Sequence, residues 1–202
     1  MEPKEIVEDI EKTASVPLGK AERFAGYGVI GLTFRSGHVL ALRRFPASSL
    51  GPAFTSVWHR SPAGLWTFYS TTAPEQSCPR YFGKEIQRNI VGPIHIVWTG
   101  PRRFTVLVAD ALHWEVTLTE SLLSRLMNAL SRLVPQTWWQ SKTTLKAIGH
   151  AARIALGTGK MNLSGRTPNG QQFIANPKRL WLIDSSRAVV KGDGMNSSAF
   201  AR

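Results

Sequence analysis

The chain carries one cysteine, Cys78, in 202 residues. That excludes an internal disulfide and argues against a cysteine-built metal site. Acids are scarce as well: 13 Asp and Glu stand against 25 Lys and Arg, for a formal net charge of +12. No acid falls between Arg23 and Pro74, and none between Ser121 and Ile183. There is no apolar run of about 18 residues, so no membrane-spanning helix is expected. The opening MEPKEIVEDIEK is acidic and lacks the apolar core of a secretory signal, which makes the cytoplasm the expected location. Several catalytic signatures are missing too. The histidines show no HExxH spacing, and no serine sits in a GxSxG elbow. Gly26, Gly28 and Gly31 are not followed by a helix with a Lys-Ser/Thr pair, so they fit a close backbone approach or a bulge better than a phosphate loop.

Strands dominate what remains. Phe54–Gly83 reads as an aromatic hairpin followed by a Pro-rich return. Phe54 to Arg60 alternates, Ser61-Pro62-Ala63-Gly64 supplies a turn, and Leu65 to Thr71 is rich in β-favouring residues. Before it, residues 27–35 and 38–45 form two strands joined at Ser36-Gly37. After it, residues 90–98 read as one strand interrupted by Gly92-Pro93, and 103–110 and 112–118 alternate again. The period then becomes helical: Leu122, Leu126, Leu130 and Leu133 predict one helix that stops at Pro135, and a second is predicted over about 143–156. Strands return at 160–165, 171–175, 180–184 and 188–191, with Thr167-Pro168-Asn169-Gly170 as a strong turn. An N-terminal helix is expected within 1–20, centred on Ile6 and Ile10, and a disordered tail over 192–202. The expected fold is mainly β. It is a single antiparallel barrel of about ten strands spanning 1–202 as one domain, with a two-helix insertion at 120–157.

Candidate chemistry divides into three classes. Trp58, Trp66, Tyr69, Trp98 and Trp114 stand on alternating strands, and rings of this size must cover a core or line a cavity. They are the expected lining for a small apolar ligand. His59, Asp110, His113 and Glu115 are the acid–base group of an enzyme on the same barrel, although a solvated outward face is the plainer account of Asp110 and Glu115. Convergence of His59, His95 and His113 would give a three-imidazole zinc site, but chance placement is favoured, and no metal or cofactor is expected. Cys78, beside Arg80, is taken as structural rather than reactive. Trp138-Trp139 next to the basic segment 142–160 suits either a helical pair packed on the barrel or a peripheral contact with an anionic membrane. Charge alone favours nucleic acid and no motif joins it, so nucleic acid is not an expected partner.

With VWHRSPAGLWTFYS at its centre, the run of aromatic hairpins over about 24–118 resembles the lipocalin-like β-barrels of the carotenoid 1,2-hydratase family. GKMNLSGRTPNGQQF followed by ANPKRLWLIDSSRAVVKG is similar to bacterial proteins of comparable layout. The resemblance implies a calycin-type barrel, a lipid- or isoprenoid-like ligand and, in some members, acid–base chemistry at a double bond. It places no catalytic residue, and the insertion at 120–157 departs from a plain lipocalin.

Overall fold

The computed structural model describes residues 2–133, 145, 147, 163–191 and 193–198. They divide into two compact units, 1–118 with 183–202, and 119–182. The first unit begins with helix α1 (Pro3–Thr13). Strands β1 (Phe24–Thr33), β2 (Val39–Ser48), β3 (Phe54–Arg60), β4 (Trp66–Ser70) and β5 (Ile86–Val91) then form one five-stranded sheet in that order. Between β4 and β5 lies the short helix α2 (Pro79–Phe82). Strands β6 (His95–Gly100), β7 (Arg103–Val108), β8 (Leu112–Thr119), β11 (Leu182–Val190) and β12 (Asp193–Ser198) form a second sheet, ordered β12-β11-β8-β7-β6. The second unit holds α3 (Leu122–Leu133) and a ribbon of β9 (Ser164–Arg166) and β10 (Gln172–Ile174).

The expected strand turns form where local chemistry demands them. Gly37 and Gly64 take φ of 83° and 85° in the two hairpin turns, and Gly170 takes 95° in the ribbon. Gly26 and Gly28 allow β1 to press against β2: a Cβ there would lie 2.0 and 2.1 Å from the carbonyl oxygens of Arg44 and Leu42. That is the close approach expected of these glycines; the β1–β2 register shifts at Gly26 and again between Val29 and Leu32, around Gly31.

Five expectations are corrected. Residues 90–98 are not one strand. Gly92-Pro93 ends β5, and β6 belongs to the other sheet, because proline cannot continue a ladder. β5 also lies parallel to β4, so the return over 71–85 is a crossover that breaks the antiparallel meander. The tail is not disordered throughout: residues 193–198 pair with 185–190, since an edge strand needs backbone partners more than apolar alternation. Residues 180–184 and 188–191 likewise merge into one strand, β11. The protein is mainly β, as expected, but no hydrogen bonding among the described residues closes the sheets into one ring. The second helix, predicted over 143–156, lies outside the described residues apart from Leu145 and Ala147, and Trp138-Trp139 lies outside them entirely.

The inner faces of the two sheets share one core. Leu40, Leu42, Val57 and Tyr69 come from the first sheet, and Phe104, Val106, Trp114, Val116 and Ala188 from the second. Helix α1 ties the sheets together. Its capping box closes through Glu2 and Glu5. Glu2 receives the guanidinium of Arg102, the Lys4 amide donates to Pro101, and Glu11 receives Arg44 and the Tyr27 hydroxyl. The Arg44 bonds hold the Glu11 carboxyl below its ordinary range. A second, smaller cluster covers the opposite face of the first sheet, with Phe54, Phe68, Trp58 and Trp66 packed against Cys78 and Phe82 of the crossover.

Candidate functional site

The aromatic residues expected to line one cavity do not share a face. Trp58 and Trp66 belong to the outer cluster, and Trp58 lies nearly parallel to Phe68 with centroids 4.8 Å apart. Tyr69 and Trp114 lie in the core between the sheets, and Trp98 packs against that core with its ring 5.1 Å from Phe104. Strand alternation explains the division: Trp66 and Tyr69 are three residues apart on β4 and point in opposite directions. Both positions carry packed rings, and the five together outline no common cavity.

The acid–base candidates are also divided, but part of the group converges. Asp110 stands in the β7–β8 turn and His113 on the outward side of β8. Together with Lys191, from the turn that ends β11, they line a cleft of about 210 Å³. Its remaining walls are Ala109, Leu112 and Val189, so half the lining is apolar. The Lys191 amide donates to the Ala111 carbonyl at 3.0 Å, which holds the two turns side by side. Glu115 is on β8 two residues from His113 and does not line the cleft. His95 and His113 flank Leu107 across β7, two strand spacings or about 9–10 Å apart, and His59 lies in the other sheet; the three imidazoles do not converge. Among the described residues, no three His, Cys, Asp or Glu side chains group as metal ligands.

His59 has a partner that sequence spacing did not reveal. Its Nε2 lies 2.8 Å from Nδ1 of His38, with the ring planes within 9° of each other. Burial pushes the His59 pKa down to about 4, and the positive charges of His38 and Lys191 add to the shift. Lys191 therefore serves two features: it lines the cleft, and its charge adds a minor part to the downward shift that burial imposes on His59. Below its ordinary pKa of 6.5, the unfolded chain takes up a proton at this position that the folded chain refuses. Stability from this source is complete above pH 6.5 and declines as the pH falls toward 4. Urea melts across this interval are expected to show the decline, and His59→Gln should flatten it. Glu11 and Glu22, held below the ordinary carboxylate range by Arg44 and Arg80, act at lower pH and leave that interval distinct.

Cys78 is buried, and burial pushes its thiol up to about 11. Arg80 pairs with Glu22, and the cation whose charge reaches the thiol is Arg43. An inert, structural cysteine fits this setting.

No family model matches the chain, and neither a curated protein nor a solved structure matches it.

Proposed function

We propose that the protein binds a small amphipathic acid in the cleft at Asp110, His113 and Lys191. One observation carries this reading. Among the described residues, only Ala109 and Lys191 are non-glycine residues at positive φ (38° and 48°), and both line this cleft. Such backbone costs on the order of 1 kcal/mol or more and gathers at functional sites. The lining suggests the ligand class: Lys191 offers an ammonium to an acid group, while Ala109, Leu112 and Val189 suit a short apolar portion. The volume falls below the roughly 300–1,000 Å³ of drug-sized pockets, which favours a fragment-sized molecule or the head of a longer one. This keeps the lipid-like ligand class that the carotenoid hydratase resemblance implies and moves its polar end to the strand termini.

A second reading is acid–base catalysis at the same place. It is favoured by the presence of a carboxyl and an imidazole, Asp110 and His113, in one cleft.

Thermal shift with a panel of short- and medium-chain carboxylates, alkyl phosphates and matched amines tests the binding reading. At about 100-fold excess over Kd, a bound acid should raise Tm by roughly 5–10 °C. Lys191→Asn, which tolerates the same backbone, should abolish the shift without lowering basal Tm. A panel in which no acid shifts Tm, or an acid shift untouched by Lys191→Asn, refutes the assignment. Turnover of a bound acid that disappears in both Asp110→Asn and His113→Gln would select the enzymatic reading.

A further inference from the structure

The second unit concentrates the charge of the chain. Residues 119–182 hold nine Lys and Arg and one acid, Glu120, a formal +8 of the total +12. Its helix α3 begins at a reciprocal cap, with the Ser121 hydroxyl accepting from the Ser124 amide at 3.0 Å and the Ser124 hydroxyl from the Ser121 amide at 2.9 Å. One side of α3 is fixed: Ser124 is buried, and the Asn128 side chain donates to the Leu180 carbonyl and accepts from the Leu180 amide, each at 2.8 Å. The described apolar side chains on the other side face solvent. Leu122 is 86% exposed and Leu126, one turn on, 55% exposed. Arg125, paired with Glu120, flanks them. In the same unit, Ile174 on β10 is 52% exposed.

Two adjacent leucines left in water on a helix of about 18 Å, within a unit of this charge, are unfavourable in a free molecule. We propose that α3 is an interfacial helix that seats the protein on an anionic lipid surface, with Leu122 and Leu126 entering the headgroup boundary and the net positive charge of the unit drawing it to lipid phosphate. Charge complementarity supplies the attraction and the exposed aliphatic stripe the insertion. A nucleic acid would account for the charge alone, since such binding relies on aromatic stacking and gives exposed leucines no role.

Full-length protein is to be floated with phosphatidylcholine vesicles and with vesicles containing roughly a third phosphatidylglycerol. Binding should be confined to the anionic vesicles and should fall steeply as salt rises from about 0.1 M to 1 M, where the screening length shrinks from about 10 Å to 3 Å. The double variant Leu122→Ser/Leu126→Ser should lose about tenfold or more in partitioning. Both positions face solvent, so Tm should hold, and Leu122→Ser alone gives an intermediate loss if the double variant is unstable. Absence of vesicle binding, equal binding to neutral vesicles, or binding indifferent to the leucine substitutions overturns the proposal. Salt-sensitive binding to single-stranded RNA without vesicle binding overturns it in favour of the nucleic acid.

Discussion

Trp114→Ala should remove about 3–5 kcal/mol of folding stability, a large part of the 5–15 kcal/mol a domain typically has. Trp114 is fully buried on β8, where it meets Val106 across the β7–β8 register and forms part of the core shared by both sheets. Its indole N–H donates to Ser186 Oγ at 2.7 Å, and that hydroxyl donates to the Glu115 carbonyl at 3.0 Å. The ring therefore fills the core and also anchors β11 to β8. Ser186→Ala tests the anchor alone: it leaves a buried donor without a partner and should cost about 1–3 kcal/mol. Trp66, expected from the sequence to be largely buried, is only partly buried at the margin of the outer cluster, and Trp66→Ala should cost clearly less than Trp114→Ala. Denaturant melts of the three variants establish the order. Equal losses for Trp66 and Trp114 would mean that the two clusters contribute alike and that the inner core is not dominant.

The hairpins at 34–38, 61–65 and 167–171 were legible because glycine at positive φ is a local requirement that a sequence states openly. Strand alternation was legible for the same reason: Trp58 and Phe68 fall on one face, and Val57 and Tyr69 on the other. What alternation does not say is what covers each face. The first sheet is covered on both, by the second sheet and by the crossover that carries Cys78 and Phe82, and the aromatic set that looked like one lining became two clusters. The parallel pairing of β5 with β4 depends on the path of residues 71–85, a nonlocal property. Strand β12 reads as a polar tail because its pairing is made by backbone. At the cleft, Asp110 and His113 were found as chemistry-bearing residues, but Lys191 was not. The signal available was a lysine before Gly192 at the end of a β-rich run, where a tight turn demands positive φ. His38 was visible as a histidine, yet its pairing with His59 spans 21 positions and two strands.

Arg43→Met should cost about 3–4 kcal/mol, from the loss of charge-assisted hydrogen bonds and the exposure of unmet acceptors. The β1–β2 ladder is irregular between Val29 and Leu32: Val29 pairs with Leu42 and Leu32 with Leu40, so two residues of β1 oppose one of β2. Arg43 answers this bulge. Its Nη1 donates to the carbonyls of Val29 and Leu42, and its Nη2 to that of Ile30 at 3.1 Å. The guanidinium also lies over the Trp58 ring, 4.8 Å from its centroid. Burial pulls its pKa down, as expected of a cation whose bonds here run to backbone carbonyls. Methionine fills similar space and donates nothing, which leaves the bulge carbonyls to find water. Lysine restores a charge but not the planar fork that reaches both strands, so Arg43→Lys should recover no more than about half the loss. Hydrogen exchange gives the local signature: amides over 29–32 should open faster in Arg43→Met, while those of β7 and β8 shift only with global stability. A melt within about 1 kcal/mol of the parent would show that the bulge holds itself without the Arg43 hydrogen bonds.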